Sequence, residues 1–176
     1  MGFEDYMRKH VWSPAGMSSS AFDVPSRIVP HRARSYSVGN GKIRNYPYGD
    51  LTYKFAGGGM LSSAEDLVRL GTALNRRFLL KAETLELMYK PVDVGLQYRE
   101  KEPPQKLEFP QGLLWRIIKD DAGRTFVNHC GTVKGFNACL VNYPEQDVVV
   151  AILGNGDPVT PARRAAVAFA QFFLPP

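Results

Sequence analysis

GLLWRIIKDDAGRTFVNHCGTVKGFNACLVNYPEQDVVVAIL, residues 112 to 153, is the stretch that decides the fold. Its apolar positions fall into four short runs: Gly112 to Ile118, Arg124 to His129, Phe136 to Tyr143 and Asp147 to Leu153. Asp120-Asp121-Ala122-Gly123 breaks the first run from the second, a glycine-marked turn follows His129, and Pro144-Glu145-Gln146 separates the last two. Runs of this length rich in Val, Ile and Phe and bounded by turn residues read as strands. The connections are too short for crossovers, so consecutive strands pair antiparallel. Beyond them, Pro161 suits a first helical position, and Ala165, Val167, Ala168, Ala170, Phe172 and Phe173 supply the apolar face of a closing helix. The expectation is an antiparallel meander with one helix against it.

Upstream the period changes to that of helices. Phe3, Tyr6, Met7 and Val11 follow helical spacing up to Pro14-Ala15-Gly16. Residues 18–60 hold most of the glycine and proline, and Asn40-Gly41 between Tyr36-Ser37-Val38 and Lys42-Ile43-Arg44 signals a tight hairpin. Ser62 and Glu65 read as a capping box for a helix with Ala64, Leu67, Val68, Gly71 and Leu74 on one face. A shorter helix spans Ala82 to Tyr89, and a polar, proline-rich linker runs around Arg99 to Pro104. The chain is therefore read as α+β, with residues 1–107 a mainly helical portion and 108–176 the sheet with its helix. No internal repeat is visible.

The 176 residues are 44% hydrophobic and 22% charged, enough to bury a core and unlike a disordered, collagenous or disulfide-framework chain. No apolar run reaches membrane-spanning length, and no signal-peptide core opens the sequence. Compartment is left open. The net charge of +5 is concentrated in residues 1–47, but its arginines are interleaved with prolines and carry no recognition-helix or RNA-binding pattern. That argues for a solvated face and against a nucleic-acid partner. His10, His31 and His129 are isolated, and the two cysteines lack Cys-x-x-Cys spacing, so no metal or other cofactor is expected. Cys130 and Cys139 could form at most one bridge.

Gly57-Gly58-Gly59 could in principle wrap an anion. It lacks the Gly-Lys-Ser/Thr of a phosphate loop, and Ala56 stands where a His-Gly-Gly-Gly oxyanion loop has its histidine. The simpler reading is close backbone packing ahead of a capped helix. Asn128-His129-Cys130-Gly131-Thr132 offers more chemistry: a histidine, a small residue and a glycine at a strand end leave backbone open to a ligand. His129 alone could equally be a capped strand-end histidine.

Several segments, in order, carry a resemblance. Phe3-Glu4-Asp5-Tyr6-Met7 with Trp12-Ser13-Pro14-Ala15-Gly16-Met17, then Phe55 to Leu67 around the triple glycine, then His129-Cys130-Gly131 with Gly135-Phe136, then Pro144 and Val148 to Asn155, resemble the serine β-lactamase-like, penicillin-binding-protein-like hydrolases. Arg32-Ala33-Arg34 and Tyr53 to Gly59 look closest to the branch that includes a mitochondrial β-lactamase-like protein. The resemblance covers essentially the whole chain. It implies the C-terminal part of the β-lactamase/transpeptidase-like fold, with a helical subdomain segment followed by an antiparallel sheet and C-terminal helix.

Such hydrolases acylate a serine from a Ser-x-x-Lys, use a Tyr-x-Asn or Ser-x-Asn beside it, and line the opposite wall with Lys/His-Ser/Thr-Gly. Only the last is present here: no serine has lysine three residues on, and no Tyr-x-Asn or Ser-x-Asn occurs. By the resemblance His129 would place a polar or acidic part of the ligand or shuttle a proton, and the Thr132 backbone N–H would be one oxyanion donor. Cys130 and Gly131 would line the substrate site, Cys130 departing from the usual Ser or Thr. A nucleophilic role for Cys130 is disfavoured, because adjacent strand residues face opposite ways. The expectation is a fragment inactive alone, from an esterase, amidase, D-amino-acid peptidase or β-lactamase acting on a small ester, amide or peptide. The rival is a non-catalytic binding or self-assembly module, with an exposed sheet edge through which copies could associate.

Overall fold

The computed structural model describes residues 1–92, 110–157 and 162–175. The expected linker around Arg99 to Pro104, the boundary at 107/108 and Pro161 lie outside them.

Helix α1 (Phe3–Met7) runs on into a wider turn over Arg8–Trp12. Trp12, Met17 and Phe22 bury together beneath it. Two short strands, β1 (Ala21–Phe22) and β4 (Met60–Leu61), pair antiparallel. Between them β2 (Tyr36–Gly39) and β3 (Lys42–Asn45) form the expected hairpin. Its turn residues Asn40 and Gly41 both have positive φ, the two-residue geometry that Asn-Gly favours.

Helix α2 (Ala64–Asn75) is capped one residue later than the sequence suggested. Ser63 Oγ accepts from the Asp66 N–H at 3.1 Å. Ser62 Oγ instead meets Ser20 Oγ at 2.8 Å, and Glu65 is drawn outward to Arg69. Tertiary contact decides the register: the Asp66 carboxylate, 1% exposed, accepts from the Ser19 N–H and Ser20 Oγ, both at 2.8 Å. Helix α3 (Ala82–Tyr89) follows.

The main sheet contains β5 (Arg116–Lys119), β6 (Thr125–Val133), β7 (Phe136–Tyr143) and β8 (Val148–Gly154), in that spatial order and all antiparallel. Helix α4 (Ala162–Ala170) packs on one face with Phe126, Cys139, Val141, Tyr143 and Val150. On the other face Leu74 of α2 and Leu85 of α3 meet Trp115, Val127 and Leu140. Gly71 lets α2 approach closely, since a Cβ there would sit 2.6 Å from Val149 Cγ1. A short parallel strand, β9 (Gly156–Asp157), adds to β2 and ties the two halves of the chain together, a pairing the sequence did not reveal.

Two strands differ from their sequence limits. β5 begins only at Arg116, because Gly112 to Trp115 folds into a turn closed by the Gly112 N–H donating to the Trp115 carbonyl at 2.7 Å. β6 runs past His129 to Val133 and turns through Lys134 and Gly135, both at positive φ, straight into β7.

Candidate active-site strand

The unequal lengths of β5 and β6 create the site. β5 pairs with β6 only as far as Arg116 opposite Asn128, whereas β6 continues beside β7 to Val133. Among the described residues, His129 to Val133 therefore has a ladder on one side only.

Backbone direction along this overhang follows from the pairing. Cys130 and Cys139 face each other with Cα atoms 4.0 Å apart, the close spacing of a non-hydrogen-bonded pair. The N–H and C=O of Cys130 thus point away from β7, and by alternation so do those of Thr132. Both aim into the edge that β5 leaves open. Gly131 and Thr132 are exposed, and a Cβ on Gly131 would meet nothing within 4 Å.

Side chains divide by parity. His129, Gly131 and Val133 share the face carrying α2 and α3; Cys130 shares the α4 face. The structure joins Cys130 Sγ to Cys139 in a disulfide across the two strands. Cys130 thus presents backbone to the overhang, while its sulfur is turned into the α4 layer and offers no thiol donor. His129 is exposed, and its Nδ1 lies 2.9 Å from the Leu114 carbonyl oxygen.

The triple glycine seats against the tip of the same strand. A Cβ on Gly59 would fall 2.6 Å from the Leu51 carbonyl, and Gly58 at φ +133 lies against Val133 and the Lys54 side chain. These two glycines are needed for close packing, while Gly57 has room. Lys54 and the Leu114 carbonyl are neighbours of the strand that sequence reasoning missed. Leu113-Leu114 between Gly112 and Trp115 carries no turn signal, and Lys54 is brought in only by the glycine loop.

Among the described residues no cluster of three His, Cys, Asp or Glu is placed to hold a metal ion, and no helix is long and apolar enough to cross a membrane.

Helices on both faces of an antiparallel sheet, with one strand overhanging beside a helical layer, define the architecture of penicillin-binding proteins and serine β-lactamases. The structure superposes on the penicillin-binding protein from Bacillus halodurans with a TM-score of 0.76 at 20% identity, covering 98% of this chain and 50% of that one. It matches the octameric penicillin-binding protein homologue from Pyrococcus abyssi with a TM-score of 0.75 at 24% identity, covering 98% and 38%. The chain belongs to the beta-lactamase family, whose model matches residues 1–172. Among curated proteins it is similar to the mitochondrial serine beta-lactamase-like protein LACTB of Homo sapiens, 30% identical over 166 residues. That match covers 81% of this chain and 29% of the relative's length.

Proposed function

We propose that this chain supplies the strand wall of a serine acyl-transfer site, acting on an ester, an amide, a D-amino-acid peptide or a β-lactam. The nucleophilic serine and its lysine lie on sequence outside these residues, so the chain by itself does not turn over. The observation that carries the reading is the overhang of β6, where the Thr132 N–H points into an open edge beside His129. In the complete site the serine Oγ attacks the substrate carbonyl, and charge develops on the carbonyl oxygen. The Thr132 N–H and the serine's own N–H donate to it. His129 faces the same opening and holds a polar group of the substrate or passes a proton. The carbonyls of Cys130 and Thr132 can accept from an extended substrate lying along the edge.

The test is mass spectrometry after exposure to an acylating serine probe. The chain alone stays at its own mass, whereas a longer protein that joins a Ser-x-x-Lys segment to it gains one adduct. A stoichiometric serine adduct on the chain alone overturns the proposal.

A second reading, self-assembly, is favoured by the other side of the sheet. Among the described residues β8 is an edge strand, and beside it an apolar groove runs between Val68 of α2 and Phe169 and Phe173, with Val148 to Ile152 as its floor. Phe169 and Phe173 are 54% and 62% exposed. Light scattering coupled to gel filtration decides this reading. A monomer at all concentrations removes it.

A further inference from the structure

We propose that Leu114 is a positioning residue, whose left-handed backbone turns its carbonyl onto Nδ1 of His129 and holds the ring in the Nδ1–H tautomer with Nε2 free to accept. A carbonyl oxygen only accepts, so at 2.9 Å the hydrogen of this contact belongs to Nδ1. In the neutral ring the lone pair is then on Nε2.

Leu114 is an unexpected residue to find in that place. Its φ is +77°, a region that branched side chains rarely occupy, yet its side chain is 67% exposed. Packing of the leucine side chain therefore does not explain the conformation. The surroundings impose it. The Leu113 N–H donates to the Met88 carbonyl at 2.9 Å, and the Trp115 indole N–H reaches Met88 Sδ at 3.1 Å. The Gly112 N–H closes the turn onto the Trp115 carbonyl, and Trp115 is 4% exposed. A Cβ on Gly112 would collide with the Met88 carbonyl, so the turn packs its backbone directly against α3. Strain held by so many contacts beside an exposed histidine is the pattern of a backbone arranged for a ligand site. Had Gly112 to Trp115 continued as a strand, the 114 carbonyl would have been committed to extended backbone.

The consequence for the site deepens the acyl-transfer reading and rests on it: the group His129 meets is a donor, a hydroxyl or an N–H of serine or substrate. A carboxylate finds no hydrogen on Nε2. The hydrogen bond itself needs neither nucleophile nor substrate, so its test is independent of that reading.

The experiment is two-dimensional proton–nitrogen NMR of the imidazole rings in this chain, at a pH that keeps them neutral. His31, exposed and without a side-chain partner among the described residues, is the internal reference. A net hydrogen bond of ordinary strength raises the Nδ1–H to Nε2–H ratio of His129 over that of His31 roughly threefold to tenfold. Equal ratios overturn the proposal. Leu114→Asn keeps the raised ratio, because asparagine tolerates positive φ. Leu114→Pro, whose ring fixes φ near −65°, brings the ratio down to that of His31. A folded Leu114→Pro protein with the ratio unchanged overturns the proposal; should that variant not fold, the wild-type and Leu114→Asn ratios decide.

Discussion

At the Thr125 end of β6, polar groups are closed up against one another. Asp120 accepts from the Ala122 N–H at 3.0 Å, the Arg124 N–H at 2.9 Å and Arg124 Nε at 2.8 Å. The same guanidinium donates to the Pro175 carbonyl at 2.8 Å and to Gln171, fastening the C-terminal residues to the sheet. At the other end of the strand, Cys130 and Thr132 turn their backbone groups into an open edge, and Gly131 beside them has no side chain to cover it. The strand's hydrogen-bonding capacity is thus divided unequally between its two ends. One end is satisfied internally and fixes the sheet; the other, among the described residues, stays unpaired along one side.

The largest effect expected tests the open end. In a longer protein carrying the nucleophile, Thr132→Pro removes one oxyanion donor and lowers the acylation rate by about 10²–10³. Proline is tolerated there because the lost N–H faces outward from the ladder. Thr132→Ala keeps the N–H and the rate. If Thr132→Pro acylates at the parent rate, the open end is not an oxyanion wall and the comparison loses its functional half.

Next in size is the closed end. Asp120→Ala leaves Arg124 without its carboxylate and is expected to cost about 3 kcal/mol, read from the urea midpoint. Burial pushes the Asp120 carboxyl up, but the Arg124 N–H and guanidinium outweigh it and hold the group below the ordinary carboxylate range. With the folded value lowered, the contribution is complete above that range and is lost as pH falls through the folded value. Acid should therefore weaken the parent more than Asp120→Asn. Tyr143, also at this end, is pushed up to about 12 by burial, with the Asp120 carboxylate adding to the effect. It stays neutral throughout that acid range. Equal acid sensitivity of parent and variant would remove Asp120 from the knot.

How much of this was legible in the sequence depends on whether the deciding interaction is local. The Asn40-Gly41 hairpin was legible because a two-residue turn announces itself in its own residues. So were the four strands and the order of family segments, which rest on period and spacing. Ser62 against Ser63 was not, since both can cap and the choice is made by Ser20 and Asp66 across the fold. His129, Gly131 and Thr132 were named from the sequence. What places them is the late start of β5 at Arg116, which stops its pairing with β6 at Asn128 and is set by buried Trp115 and by Gly112 against Met88. The pairing of the two cysteines was open until register put Cys130 opposite Cys139.

That disulfide gives the third test. It lies within the overhang but faces the α4 layer, so it belongs energetically to the closed part of the sheet. Its cysteines are nine residues apart in sequence, and reduction is expected to cost about 2–3 kcal/mol through the freedom regained by the unfolded chain. Urea midpoints with and without a dithiol reductant measure this. An unchanged midpoint would mean that the hairpin alone holds the overhang in place.

The smallest effect is the most discriminating for the open end. Leu114→Gly relieves left-handed crowding worth about 1 kcal/mol. It also widens the unfolded ensemble by roughly 0.5–1 kcal/mol and gives up little burial, since Leu114 is 67% exposed. The two nearly cancel, so the urea midpoint should stay within about 0.5 kcal/mol of the parent in stability. A loss of 2 kcal/mol or more would show that the leucine side chain holds the turn by packing. Leu114 would then sit with the closed, structural end of the sheet. A null result keeps it where the strain and exposure put it, as backbone held in place for the histidine beside it.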